Sequence, residues 1–250
     1  MARAFSSGVV FPAVPAELAI LLSTVAACGA RLALHDRGNQ RLRNAFVGRI
    51  SPEVLDIVLQ TLPMEGESRE VTLMLCNVRG FTGHSQGRDP QTMMKELNEH
   101  FDQMSECILR HGGMVTQYAG DRVLAMFGAP ARYHDHAHRA VVCALEMLTR
   151  EDLLNERRIA AGWQPWMLGI GIHTGDATLG FVEERGQRLE YTIHGEAVRI
   201  ASRIEALNKK YSTQILLSLS TRDQMGVDLA TVWKGTLVRD DGKEEAFYTV

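Results

Sequence analysis

The chain has 250 residues, 30 acidic and 27 basic side chains, a net charge of −3 and 45 % hydrophobic content, enough for one sizeable domain and an appendage. The lack of a basic excess argues against nucleic acid as a partner, and the lack of low-complexity tracts argues against disorder. Cys28, Cys76, Cys107 and Cys143 are scattered, with no Cys-x-x-Cys pair; they read as buried thiols of a reducing compartment, not as a disulfide or zinc framework.

Residues 1–50 differ from the rest, and 1–40 read as a membrane helix and its flank. Val9 to Ala16 is apolar but broken by Pro12 and Pro15, and Leu18 to Ala30 is a run whose only polar members are Ser23 and Thr24. Extended to Leu34, it approaches the lower length limit of a membrane helix. Arg31, Arg37, Arg41, Arg43 and Arg49 follow, which would put everything downstream in the cytoplasm. A cleaved signal peptide fits poorly, because the basic cluster lies after the apolar run. Two readings stay open, a membrane anchor and an amphipathic or interface helix. Residues 41–68 read as a linker helix that restarts at Ser51-Pro52-Glu53, with Ser as cap and Pro in the first turn. Pro63 to Ser68 is a polar connection, and the domain proper spans 69–250.

Val71 to Val78 is a buried strand, and Arg79-Gly80-Phe81-Thr82 is its exit turn, where a Gly lets backbone amides approach an anion. Asp89-Pro90 opens a helix whose core stripe is Met94, Leu97, Phe101, Met104 and Ile108; Gly112-Gly113 ends it. Met114 to Tyr118 and Val123 to Phe127 form a hairpin with Gly120-Asp121 in the tight turn. Asp121 thus sits at the tip of a rigid element, either holding a hard cation or satisfying the turn. A second helix runs from near Asp135 to about Leu154. Trp166 to Ile172 is a strand that pairs with Ala177 to Val182 across His173-Thr174-Gly175-Asp176. A short strand at Leu189 to Ile193, a helix at Gly195 to Lys209, a strand at Gln214 to Ser218 and an edge hairpin in the tail complete the chain. The order is a ferredoxin-like βαββαβ core with additions, an α/β (α+β) fold with a mostly antiparallel sheet and helices on one face.

Two motifs carry less than they suggest. Gly169-Ile170-Gly171-Ile172-His173-Thr174-Gly175 has the wrong glycine spacing for a dinucleotide site and lies inside a strand; tight packing against a neighbouring strand is expected instead. His134 and His138 are one helical turn apart, but no third zinc ligand is identifiable and Asp135 serves as a cap.

Val71 to Thr82, Arg110 to Pro130, Asp135 to Met147, Leu168 to Gly180 and Tyr191 to Leu207 together resemble the catalytic domain of class III adenylate/guanylate cyclases, over about Glu70 to Arg222. Arg41 to Leu59 resembles the linker that follows the last membrane helix of bacterial receptor-type members. The resemblance implies the class III nucleotidyl cyclase fold. It also implies cyclisation of ATP or GTP by attack of the 3′-hydroxyl on the α-phosphate, with two Mg2+ or Mn2+ ions and a head-to-tail dimer, homodimer or heterodimer, whose interface holds the sites.

Residue by residue, the match is uneven. Asp121 matches the second metal aspartate, and Asn77 stands where the first would fall. Gln117 stands at the purine-reading lysine, and Thr192 matches its partner. Arg203 matches the arginine that stabilises the reacting phosphate, and Arg199 replaces the ribose-orienting asparagine. Val78, Arg79, Gly80, Phe81 and Thr82 form the nucleotide-facing turn. Arg122 follows Asp121 where a small residue is usual. The expectation is a cyclase weakened by Asn77, Gln117 and Arg199, or a catalytically inactive homologue that binds nucleotide or dimerises as a regulatory partner.

Overall fold

The computed structural model describes residues 23–24, 40, 43–61, 66–85, 87–184 and 188–250. The chain divides into two compact units, 1–43 and 44–250, and every element numbered below belongs to the second. The apolar run at Leu18 to Leu34 lies outside the described residues apart from Ser23 and Thr24. Among the described residues no helix is long and apolar enough to cross a membrane.

The elements are α1 (Pro52–Thr61), β1 (Glu67–Arg79), α2 (Phe81–Ser85), α3 (Pro90–Arg110), β2 (Met114–Ala119), β3 (Arg122–Phe127), α4 (His136–Ala160), β4 (Met167–Glu184), β5 (Arg188–His194), α5 (Glu196–Tyr211), β6 (Ile215–Ser218), α6 (Leu219–Gln224), β7 (Val232–Val238) and β8 (Glu244–Thr249). The sheet runs β2-β3-β1-β4-β6-β8-β7, with β5 paired to β4 off that path. Among the described residues every pairing is antiparallel except β4 with β6. The α+β architecture with its ferredoxin-like core stands as expected.

Two expectations about β1 and β4 change. The span predicted as two strands across His173 to Asp176 is a single 18-residue strand. The reason is its partner: β1 pairs with it continuously from Glu67↔Leu179 to Arg79↔Met167, so Gly175 opposes Val71 inside the ladder and no turn can form there. By the same pairing, Glu67 and Ser68, expected in the polar linker, already lie in β1. The exit turn also differs in part, because Phe81 and Thr82 begin a short helix after Gly80, which takes a left-handed φ of 69°.

Helices cover both faces of the sheet, not one. Along β1, Met74, Cys76 and Val78 join Met93, Leu97, Met104 and Ile108 of α3 and Val141, Ala144 and Met147 of α4 in the main core. Leu75 and Asn77 alternate to the other face and meet α5. There Val71 and Leu73 pack with Ala197 and Ala201 of α5 and with Phe46, Val54 and Val58. Phase decides one error in α3: Met93 is buried while Met94, expected in the core stripe, is 54 % exposed.

Several polar groups in the core are paired with one another. Glu151 accepts from His100 Nδ1 at 2.7 Å and from Arg158 Nη1 at 2.5 Å, and the Arg158 guanidinium lies 3.9 Å from the Trp166 ring centre. A line of hydroxyls crosses beneath the sheet: Thr72 meets His136 Nδ1 at 2.8 Å and Thr174 at 2.7 Å, and Thr174 meets Thr221 at 3.0 Å. His136 is therefore committed to the core, and His138 Nδ1 contacts the Met225 carbonyl at 2.8 Å. Asp135 precedes α4 without a side-chain capping bond and instead pairs with Arg139. Among the described residues no group of three or more His, Cys, Asp or Glu side chains is placed to hold a metal. At the far edge of the sheet, β7 carries Trp233, 60 % exposed.

Candidate active site

The site is built on the β2–β3 hairpin. Ala119 pairs with Arg122, so Gly120 and Asp121 are the two turn residues, and Gly120 has a φ of 63° that favours glycine. The turn is fastened to β1: Val78 N–H donates to the Asp121 carbonyl at 3.2 Å, and Asn77 is in register with Arg122. Asp121 and Asn77 are thus neighbours at one end of the sheet. A register shift between Val115 and Gln117 pairs Gln117 directly with Leu124. That irregularity turns Gln117 to the same face as Leu124, Leu75 and Arg122.

This face opens a pocket of about 200 Å³ lined by Leu75, Gln117, Ala119, Arg122 and Leu124 from the sheet and by Val198 and Ser202 from α5. Its apolar walls and single amide suit a flat, partly polar ligand. Close approach of α5 to the sheet is set by glycine. A Cβ at Gly171 would lie 2.4 Å from the Glu205 nitrogen and 2.5 Å from the Ala201 carbonyl oxygen. The Gly169-Ile170-Gly171 spacing is therefore explained by helix packing, not by a neighbouring strand.

Deeper in, Asn77 Nδ2 donates to Glu205 Oε1 at 3.3 Å, while Asn77 Oδ1 is buried with no partner. An unpartnered amide oxygen beside an acidic turn is the donor chemistry of a hard cation, so the residues fit a divalent ion held by oxygen. Burial raises the Glu205 pKa above the ordinary carboxylate value, and Asp121 pushes it further up. The Asn77 hydrogen bond, Arg122 and Arg79 pull the other way. Burial also lowers the Arg79 pKa, against the attraction of Glu205. Arg79 hydrogen-bonds the Thr213 carbonyl and Phe81 packs edge-on against Trp166, with ring centres 5.6 Å apart, so both are anchored to the domain.

The remaining candidates lie elsewhere. Thr192 sits on β5 opposite Gly180 and does not line the pocket. Arg199 and Arg203, one turn apart on α5, both reach Asp240 in the turn between β7 and β8. Arg199 Nε lies 3.3 Å from Asp240 Oδ2 and Arg203 Nη1 lies 3.4 Å from Oδ1. Arg203 also donates to the Val238 carbonyl. Sequence reading missed Glu205 and Asp240. Glu205 carried a signal, since it falls among the inward positions of α5 with Ala201, Ile204 and Asn208. Asp240 carried none, because its partners are 37 and 41 residues away in the chain.

Residues 64–244 match the family described as the adenylate and guanylate cyclase catalytic domain. This chain belongs to the class III adenylate/guanylate cyclase family. Among its relatives, adenylate cyclase 1 of Rhizobium meliloti (strain 1021) is 40 % identical over 150 residues, 60 % of this chain and 22 % of the relative. An adenylate cyclase of Anabaena cylindrica is 30 % identical over 181 residues, 71 % of this chain and 34 % of the relative. The matched stretch thus spans about a third or less of these curated relatives' length. Among solved structures, the guanylyl cyclase Cya2 superposes with a TM-score of 0.68 at 32 % identity, covering 75 % of this chain and 94 % of that one. The adenylyl cyclase CyaB from P. aeruginosa does so with a TM-score of 0.68 at 27 % identity, covering 74 % and 95 %. The chain is accordingly a class III nucleotidyl cyclase domain in sequence and in fold.

Proposed function

We propose that this domain cyclises a nucleoside triphosphate in a dimer, with turnover well below that of a family member whose site is complete. The observation that carries the reduction is the Asn77–Glu205 hydrogen bond: a neutral amide occupies the position beside Asp121 where a carboxylate would sit. In the reaction the 3′-hydroxyl of the ribose attacks the α-phosphate and pyrophosphate leaves. When bound, Mg2+ or Mn2+ would neutralise phosphate charge, and Asp121 with Asn77 Oδ1 would hold it. Loss of one anionic ligand lowers the rate on the order of 10²–10⁴. Arg203 and Arg199 supply guanidinium groups for phosphate oxygens. Val78 to Thr82 flank the same end of β1 as a phosphate-facing turn. Gln117, able to donate and accept, reads the base edge from the pocket wall; Thr192, which lies on β5 outside that wall, is assigned as its partner by the family resemblance alone.

The substrate inferred is ATP, a reading supported by the two relatives that carry the name adenylate cyclase; GTP is the competing substrate. One chain of the dimer, homodimer or heterodimer, offers Asp121 and Asn77, and its partner offers Gln117, Thr192, Arg199 and Arg203. The same reading assigns the cyclase domain to residues 67–250, because β1 already begins at Glu67, the linker to the residues from 41 up to it, and 1–40 to a membrane or interface segment, supported by the apolar run and the arginines behind it. A second reading, a catalytically inactive partner that binds nucleotide, is favoured by the engagement of both α5 arginines with Asp240.

The test is cyclic nucleotide formation by the purified full chain with ATP or GTP and Mn2+. Slow cyclic AMP formation is expected, with a gain of about 10²-fold or more in the triple variant N77D/Q117K/R199N. Turnover at full family rates by the unmodified chain would overturn the weakening. Nucleotide binding without turnover in both proteins would establish the inactive partner.

A further inference from the structure

The two arginines on α5 already hold an anion. The Asp240 carboxylate places one oxygen toward each guanidinium, 3.3 Å from Arg199 Nε and 3.4 Å from Arg203 Nη1. Arg203 is held again by the Val238 carbonyl. The hairpin returns the contact with opposite charge: Arg239 Nη2 lies 3.6 Å from Glu196 Oε2 in the first turn of α5. The tip is compact, with Arg239 N–H donating to the Lys243 carbonyl at 2.7 Å and Gly242 N–H to the Arg239 carbonyl at 3.0 Å. Yet the contact is a surface one, because the Arg199, Arg203 and Asp240 side chains are 64 %, 43 % and 56 % exposed.

We propose that the β7–β8 tip is an autoinhibitory latch in which Asp240 occupies, as a built-in anion, a phosphate site formed by Arg199 and Arg203. The proposal rests on reading these arginines as the phosphate-facing groups. A carboxylate and a phosphate oxygen compete for the same guanidinium donors, so a polyphosphate enters only as the tip lets go. Exposed pairs of this kind are individually weak, which makes the latch displaceable by a multiply charged ligand and sensitive to salt.

The test is binding of inorganic tripolyphosphate to the full chain by titration calorimetry at low salt. D240N keeps the shape of a half-exposed side chain and removes its charge, and D240S serves as a second removal. Both are expected to bind about 3- to 10-fold more tightly than the unmodified chain, with the gain shrinking as NaCl rises. R203A/D240N is expected to lose the gain. D241N is the control, since Asp241 pairs with Arg239 and Lys243 and not with the α5 arginines. Unchanged or weaker binding by D240N and D240S overturns the latch, as does an equal gain in D241N, which would mark a general charge effect. Absence of binding by every protein overturns the phosphate site itself. Turnover is not read here, so a chain that never cyclises nucleotide can still keep the latch. An active cyclase whose D240N form gains no affinity loses the latch alone.

Discussion

Asn77 is a donor as well as an oxygen, and its role depends on Glu205. Substituting Asp at this position sets a second carboxylate about where the amide now lies, 3.3 Å from Glu205 Oε1. Burial already raises the Glu205 pKa, and a new like charge raises it further. Without a cation, N77D is expected to lose about 1–2 kcal/mol of stability at neutral pH. Mn2+ is expected to restore the melting temperature of N77D more than it shifts that of the unmodified chain. An N77D protein as stable as its parent and indifferent to Mn2+ would argue against a cation site at this end of β1.

His173 gives a pH dependence of definite sign. Burial, with Arg239 nearby, lowers its pKa from 6.5 to about 4. The folded state therefore favours neutral His173. Its contribution is present above about pH 6.5 and is lost as pH falls toward 4, on the order of 3 kcal/mol at most. His136, shifted the same way by burial, adds to the loss. Urea midpoints measured at pH 7.5 and 5 should fall accordingly, and H173N should flatten the slope. At this scale the sequence was informative about Asp121 and Asn77, because a two-residue turn and a strand end are local features. It was silent on Asp240, whose meaning comes only from what the fold sets beside it.

Among the elements, α5 and β4 approach each other closely enough at Gly171 that no side chain fits between them. Gly171→Ala forces a methyl group into backbone atoms of α5 that cannot swing aside. A cost of about 2–4 kcal/mol in chemical denaturation is expected, together with loss of ligand binding as α5 lifts from the pocket it walls. An Ala variant within a few tenths of a kcal/mol of its parent would disprove the close-packing account. The same elements mark the limit of local reading. The Gly-Asp turn between β2 and β3, the Asp89 cap of α3 and the existence of the α5 helix were all legible from neighbours in sequence. The continuity of β4 was not, because residues that look like a turn become strand when a 13-residue partner lies alongside. Nor did periodicity alone tell Met93 from Met94, adjacent apolar residues separated only by helical phase.

At the scale of the whole domain, helices divide the sheet into a side covered by α3 and α4 and a side covered by α5, which carries the candidate site. Asp121 and Asn77 lie at one end of the sheet, while Arg203 faces the β7–β8 tip. If sites form between two chains, damage can be shared out. D121N and R203A proteins, each inactive alone, are expected on mixing to regain about a quarter of the parent's activity, since roughly half the dimers are mixed and each holds one intact site. Persistent silence of the mixture, with dimers verified by light scattering, would show that both groups must come from one chain.

The exposed Trp233 on β7 has a use of its own. It belongs to the same hairpin as Asp240, whereas Trp166 is shut inside the core and Trp163 lies under the Arg88 guanidinium. Its indole emission, isolated by comparison with a W233F protein, offers an optical gauge of the hairpin that requires no added dye. A change in its colour or quenching as polyphosphate is titrated would let release of the tip be timed in a stopped-flow instrument.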